Sequence, residues 1–486
     1  MSVIINQKQQ ELHCSASYPV LDLLRSDLRL TGTKAACKEG DCGTCLVLLG
    51  TLEQDGLSYR AVNSCILPAG DVEGRHLVTI EGLSSQQSQQ INPVGTLLVQ
   101  EGGSQCGFCS PGIVIAMTAY LLTAPAFDKQ SALASVSGNL CRCTGYTAIK
   151  RAILGMERFF TRDATSPGLP PPGEERLQFL VHTKVLPPYF LDINSRLKKI
   201  QSTSPNSGKA TPDQVNRVSA DKTQIIAGGT DFFVQHREAS REENILFLSR
   251  EKKLRGIRRE GTRCLIGAGT TFSELEESPI MQEMIPAITQ HFERIASLPI
   301  RNRATLGGNI VNASPIADGT IYLLALDAQL HLQHKKTHRR VALKDFFKGY
   351  KDLDLQEGEL IEQIEFPALK EQTLFNFEKV CQRSHLDIAS VNSAISLYAP
   401  KGRIEEVHIS AGGVAATPLY LRKTVEYLAG KEITEEVIDR AAEIAESEVA
   451  PISDSRGSAT YKRLLLGQLI KAHFAQFLPA PLGGHV

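Results

Sequence analysis

Eleven cysteines in 486 residues, nine of them before residue 150, constrain this chain more than any other feature. The nine are Cys14, Cys37, Cys42, Cys45, Cys65, Cys106, Cys109, Cys141 and Cys143, and only Cys264 and Cys381 follow. The stretch from Met1 to Cys14 has no charged segment leading into an apolar one, so export is not expected and a cytoplasmic setting is. Thiols stay reduced there, which makes metal binding or catalysis a better reason for clustered cysteines than disulfides. The chain is a cysteine-rich front joined to a cysteine-poor rear. Its length suggests about three domains. Its 53 Lys and Arg balance 53 Asp and Glu, so no field draws it to nucleic acid or an anionic membrane. The longest apolar run, Gly112 to Leu122, is too short to span a bilayer.

Apolar Val3, Ile4 and Ile5 predict a strand over 2–7, and Leu21, Leu23, Leu24 and Leu28 fit a helical face after Pro19. Leu46 to Leu49 and Leu77 to Ile80 read as buried strands. Together these make a small α+β unit. Gln86 to Gln90 is a polar connector, after which the pattern turns helical. Ser110 as N-cap and Pro111 as first helical residue would open a helix through Leu122, and Tyr146 to Phe160 reads as another. Thr165 to Gly173, rich in Pro and Gly, reads as an interdomain linker, and Gln201 to Gly208 as a surface loop. Beyond Thr223 short β segments (224–227, 264–267, 328–332) alternate with helical ones. Strands over 394–398 and 406–409 are followed by helices over 434–449 and 461–477.

Cys37, Cys42 and Cys45 with a later Cys65 have the C-x4-C-x2-C…C spacing of a plant-type [2Fe-2S] site. Gly40 and Gly43 let the loop curl and turn its amides toward the sulfurs. Zinc also accepts four thiolates, but its sites usually pair two C-x2-C knuckles, which is not the pattern here. Cys106, Cys109, Cys141 and Cys143 form C-x2-C…C-x-C. Spacing alone leaves zinc, a second cluster or a redox dithiol at Cys106 and Cys109 open. An adjacent ferredoxin-like unit favours a second cluster, since two in series make an electron relay.

Cys37-Lys-Glu-Gly-Asp-Cys42-Gly-Thr-Cys45, Gln105-Cys-Gly-Phe-Cys109-Ser-Pro-Gly112 and Asn139-Leu-Cys-Arg-Cys143-Thr-Gly-Tyr146 resemble the iron–sulfur half of the xanthine dehydrogenase family of molybdenum hydroxylases. Ala227-Gly-Gly-Thr-Asp231 and the run from Arg301 to Asp318 resemble its FAD-binding domain. The resemblance implies a multidomain α+β chain. It would hold a plant-ferredoxin-like β-grasp domain over 1–83 and a helical, four-helix-bundle-like [2Fe-2S] domain over 84–160. After a linker over 161–178 would come an α+β FAD-binding domain over 179–370 and a C-terminal α+β flavoprotein subdomain over 371–486. The eight quartet cysteines would be the iron ligands.

The resemblance further implies FAD contacts from Ile226, Ala227, Gly228, Gly229, Thr230 and Asp231, and from Ala304, Thr305, Gly308, Asn309 and Asp318. Lys379 would lie near the flavin and Leu360 near its isoalloxazine or adenine end. Gly229 stands where the best-known eukaryotic members carry Asn, and Ile295 where they carry an aromatic residue by the flavin. As the small subunit of a bacterial xanthine dehydrogenase, the chain would pass electrons from a large molybdopterin-binding subunit through both clusters to FAD and NAD+, in an α2β2 heterotetramer. No catalytic residue is expected on this chain. Other substrates of the same class, an aldehyde or an N-heterocycle, and a standalone electron carrier are the alternatives.

Bland readings suit the rest. His331, His334 and His338 sit in what reads as a solvated hairpin, beside cations that repel a metal. Cys14, Cys264 and Cys381 read as small buried hydrophobes. Gly267-Ala268-Gly269 reads as a structural turn, and no Ser/His/Asp constellation stands in a convincing context.

Overall fold

A computed structural model describes residues 1–53, 56–84, 92–161, 168–203, 224–236, 245–249, 251–383 and 385–477. The connector at 86–90, residues 165–167 and residues 204–208 fall outside the described residues, and Gln201–Thr203, expected to begin a loop, instead end the helix Ile193–Thr203. The chain divides into two compact units. The first comprises the N-terminal stretch through Thr203 together with 224–249 and 297–303. The second takes in 251–296 and 304 to the C-terminal helix.

The first unit is organised on a five-stranded sheet in the order β2-β1-β5-β3-β4, with β1 (Ser2–Ile5), β2 (Lys8–Glu11), β3 (Leu46–Glu53), β4 (Gly56–Asn63) and β5 (His76–Val78). Only β1 and β5 run parallel, with Ile4 opposite His76. The unbroken apolar run at Leu46–Leu49 follows from burial on both faces, because side chains alternate along a strand. Val47 and Leu49 join Val3, Ile5, Val20 and Leu24 in one core. Leu46 and Leu48 join the core built by the helices that follow. The helix expected after Pro19 is a short turn, Val20–Asp22, that widens into a π-type turn at Leu23–Asp27.

Among those helices, Ser110–Thr123 is buried from Gly112 to Leu122. A helix apolar on every side belongs in a core, which accounts for the longest apolar run in the chain. Cys109, not Ser110, occupies its N-cap position. The Ser110 hydroxyl is instead 2.7 Å from that of Ser104, so it is not free to cap. The expected 146–160 helix is two, Thr147–Gly155 and Glu157–Phe160, parted at Met156. A helix at Glu174–His182 begins directly after the Pro- and Gly-rich 165–173 segment and inside the 161–178 span expected as a linker. It carries Arg176, fully buried, whose guanidinium donates to the carbonyls of Leu121 and Ala124 at the end of the 110–123 helix (2.6 and 2.9 Å). A two-stranded parallel element, β6 (Gln224–Ile226) with β7 (Ile245–Phe247), completes the unit.

The second unit holds an antiparallel sheet in the order β11-β10-β14-β9-β8. Its strands are β8 (Ile257–Glu260), β9 (Arg263–Gly267), β10 (Gln329–His334), β11 (Thr337–Ala342) and β14 (Leu360–Pro367), with a small ribbon of β12 (Phe347–Gly349) and β13 (Asp352–Leu353) between β11 and β14 in sequence. A second antiparallel sheet runs β15 (Leu374–Val380), β16 (Val391–Tyr398), β17 (Glu406–Gly412) and β18 (Leu419–Tyr420). β16 is buried on both faces: Ala394 enters the core shared with the first sheet, and Ile395 and Leu397 the core shared with helices Glu435–Glu448 and Ala459–Phe474. The histidine-bearing segment forms the β10–β11 hairpin, and His331 pairs with Glu365 at 2.8 Å.

Candidate functional site

The eight quartet cysteines gather four and four in the first unit, all as free thiols. Within each four they sort into pairs. Cys37 and Cys42 sulfurs lie 3.2 Å apart, and Cys45 shares a hydrogen bond with Cys65. Cys106 and Cys143 sulfurs lie 3.4 Å apart, and Cys109 shares a hydrogen bond with Cys141. Charge coupling runs across the pairs, Cys42 with Cys45 and Cys106 with Cys141. Among the described residues no three His, Cys, Asp or Glu side chains are arranged to hold one metal ion together.

Local backbone explains the grouping. Lys38, Gly40 and Gly43 all have positive φ (61°, 82° and 65°), which curls the 37–45 loop. The amides of Glu39 and Cys42 donate to the Cys37 sulfur at 3.4 Å, and the Gly40 amide donates to Cys65. The Cys37 hydrogen bond, with help from Thr44, pulls the Cys42 thiol down to about 5 against the opposing effect of burial. In the second group Thr144 holds Cys141 at 3.2 Å, and burial pushes Cys109 up to about 12. Cys42, Cys45, Cys65, Cys109 and Cys141 are buried, whereas Cys106 and Cys143 are exposed.

The two loops touch through backbone. Leu140 N–H donates to the Cys42 carbonyl and Asn139 Nδ2 to the Gly43 carbonyl, both at 3.0 Å. Gly112 lies against the Gly43 carbonyl so closely that a Cβ would come within 2.1 Å of it. Of the three remaining cysteines, only Cys264 is buried, as expected. Cys14 and Cys381 are half-buried, and the Cys381 thiol donates to the Arg383 carbonyl at 2.9 Å.

The glycine motifs divide between the units. In the first, β6 ends at Ile226 and Ala227–Thr230 form the turn into a four-residue helix, Phe232–Gln235. Gly229 has φ +72°, and a Cβ there would lie 2.8 Å from the Phe233 ring. Thr230 is half-buried, and Asp231 is exposed with its carboxylate 2.6 Å from Gln235 Nε2. Arg303 Nη2 donates to the Gly228 carbonyl and to Asp71 Oδ2, both at 2.7 Å. Reading by sequence missed this pair because 232 positions separate its members and Asp71 stands in no motif.

In the second unit Thr305 caps the Leu306–Asn312 helix, its hydroxyl accepting from Gly308 N–H at 3.1 Å. The Ala304 carbonyl accepts from Phe272 N–H at 3.1 Å. The Asn309 side-chain oxygen accepts from the Thr320 amide and hydroxyl at 2.9 and 3.0 Å, which ties this helix to Asp318–Ala325. Asp318 uses both oxygens, one toward Lys379 (2.7 Å) and one toward Asn392 (2.6 Å). Lys379 also donates to the Arg294 carbonyl at 2.8 Å. Leu360 opens β14 and is buried, and Ile295 is buried in the core. The 267–269 turn is packed by backbone: a Cβ on Gly267 would lie 2.3 Å from the Leu254 carbonyl.

Four family descriptions match the chain in order: a 2Fe-2S iron-sulfur cluster binding domain at 3–70, a [2Fe-2S] binding domain at 79–154, the FAD binding domain in molybdopterin dehydrogenase at 198–369, and a CO dehydrogenase flavoprotein C-terminal domain at 377–477. Aldehyde oxidase 2 of Cavia porcellus is 27% identical over 97% of this chain, and xanthine dehydrogenase 1 of Arabidopsis thaliana 26% identical over 91%. The chain spans 39% and 37% of those relatives' lengths. Among solved structures, carbon monoxide dehydrogenase from Hydrogenophaga pseudoflava is 30% identical with a TM-score of 0.51, over 54% of this chain and 91% of that one. Quinoline 2-oxidoreductase from Pseudomonas putida 86 is 25% identical with a TM-score of 0.50, over 54% and 92%.

Proposed function

Because this chain belongs to the molybdenum hydroxylase family and carries two [2Fe-2S] domains and an FAD-binding domain, we propose that it is the electron-transfer subunit of a xanthine dehydrogenase. In that role electrons taken from hypoxanthine or xanthine at molybdenum, on a large molybdopterin-binding partner in an α2β2 assembly, pass through the clusters to FAD and reduce NAD+, with urate as the product. The single observation that carries the reading is the pairing of the thiols. A [2Fe-2S] core asks for four cysteines, two on each iron, whereas zinc asks for four ligands around one point. Cys37 with Cys42 and Cys45 with Cys65 would hold the irons of one cluster. Cys106 with Cys143 and Cys109 with Cys141 would hold those of the other.

The chain's own groups favour these cofactors. Amides of Glu39, Gly40 and Cys42 and the Thr44 and Thr144 hydroxyls stabilise thiolates, the form iron needs. Exposure of Cys106 and Cys143 leaves the second group open to a partner chain. Lys379, held by Asp318 and the Arg294 carbonyl, is the residue we place near the flavin. A second reading, with an aldehyde or an N-heterocycle as substrate, is favoured by the match to an aldehyde oxidase across 97% of this chain.

Purification of the native assembly tests both. The expected result is a co-purifying molybdenum protein, about four irons and one FAD per chain, and NADH formed with hypoxanthine. Turnover of aldehyde or quinoline alone would move the assignment to the second reading. About two irons, or no molybdenum partner, would refute the subunit role.

A further inference from the structure

We propose that Arg303, held in place by Asp71, is the positioning residue that fixes the Gly228–Gly229 peptide for binding the diphosphate of FAD. The proposal rests on reading Ile226–Asp231 as the diphosphate turn. Asp71 belongs to the 3₁₀ turn Ala69–Val72 that leads toward β5, and Arg303 follows the helical turn Leu298–Arg301. The Arg303 side chain is 7% exposed and that of Asp71 1%. The second Asp71 oxygen accepts from the Ser249 hydroxyl at 2.5 Å, two residues past β7. Both carboxylate oxygens are therefore used, and the pair is neutral where an isolated charge would be costly.

Among the described residues the pair's further acceptor is the Gly228 carbonyl, at 2.7 Å from Arg303 Nη2. A trans peptide is planar, so the carbonyl of one residue and the N–H of the next point in opposite directions. Pinning the Gly228 carbonyl on Arg303 therefore aims the Gly229 N–H away from the guanidinium. Without the pin this direction is poorly determined. Both residues flanking the peptide are glycines, and Gly229 sits at φ +72°, so local sterics do not forbid the flipped orientation. A flip would replace a donor by a carbonyl oxygen where an anion is to bind. Arg303 Nη2 is shared between Asp71 and the Gly228 carbonyl, so through this contact it acts on the peptide rather than as an anion ligand.

The test uses the full chain, stripped of flavin and titrated with FAD, with ADP and adenosine as competitors. For Arg303→Met the FAD dissociation constant is expected to rise about 10- to 100-fold, the range of a charge-assisted hydrogen bond. ADP should weaken comparably while adenosine is unchanged, because only ADP carries the diphosphate. Iron content and the visible circular dichroism of the clusters should stay as in the parent. Arg303→Lys, which keeps the charge with one-point donation, should recover part of the loss, and it serves as the variant of record if Arg303→Met does not fold. Unchanged FAD affinity in both variants, or equal loss of ADP and adenosine, would overturn the proposal. A parent protein that binds ADP no better than adenosine would overturn the diphosphate reading of 226–231 and the proposal with it.

Discussion

Replacing Gly112 with alanine sets two effects against each other. Gly112 lies in the first turn of the Ser110–Thr123 helix, where intrinsic propensity favours alanine over glycine by roughly 1 kcal/mol. Packing opposes it. The added Cβ would sit 2.1 Å from the Gly43 carbonyl oxygen and 3.1 Å from Asn139 Nδ2. Carbon and carbonyl oxygen need about 3.3 Å, so helix and loop must part by roughly 1.2 Å. That movement strains the Leu140-to-Cys42 and Asn139-to-Gly43 hydrogen bonds, each 3.0 Å long. Two such bonds are worth about 2 kcal/mol and overpacking about 1–3 kcal/mol more. Less the propensity gain, the net loss is about 2–4 kcal/mol. For a unit of this size the thermal midpoint followed by the clusters' visible dichroism should fall by roughly 5–15 °C. Iron should be lost from both thiol groups, since the contact joins their loops. A midpoint equal to or above that of the parent, with iron intact, would show that propensity wins and that the close approach is wrong.

Three further outcomes are expected. Burial lowers His76 and His473 to about 3 from an ordinary 6.5, so both are neutral in the folded chain. Because the unfolded chain binds those protons more readily, this stability is present above 6.5 and lost as pH falls toward 3, by up to about 1.4 kcal/mol per pH unit per histidine. The slope of midpoint against pH should flatten in His76→Gln. Arg176→Met leaves the Leu121 and Ala124 carbonyls without their donor and should cost about 2–5 kcal/mol, read as a lower denaturant midpoint; Arg176→Lys should fall between. Cys65→Ala and Cys141→Ala should each remove one reduced-state EPR signal and about two irons while sparing the other signal.

Much of this was legible because it is local. Three cysteines close together in the chain, Cys37, Cys42 and Cys45, with glycines between them, announce a curled thiol loop, and a helix apolar on every side announces a core. The four-and-four grouping of the thiols follows from their spacing. Their sorting into Cys37 with Cys42 and Cys45 with Cys65 does not, because it depends on how Asn63 and the 3₁₀ turn at Ser64–Ile66 approach the loop. Capping at Ser110 was mistaken since the hydroxyl's competing partner, Ser104, lies outside the helix. Half-burial of Cys14 and Cys381 was missed for a similar reason, as no local pattern reports the surface a residue ends on. Sheet order and the Arg303–Asp71 pair lay beyond reach altogether, being set by segments far apart in the chain.

That last separation has a consequence in time. Asp71 and Arg303 are 232 residues apart, and a ribosome adding about 5–20 residues per second needs roughly 10–50 s to travel between them. The first cysteine group is complete before that interval begins and the second, ending at Cys143, is complete early within it, while the carboxylate still waits for its arginine. The first unit therefore waits on a late-arriving residue before the buried Asp71 carboxylate meets Arg303. On the diphosphate reading proposed above, the glycine turn stays unpinned until Arg303 is made, so the flavin seat would be finished after the cysteine loops are synthesised.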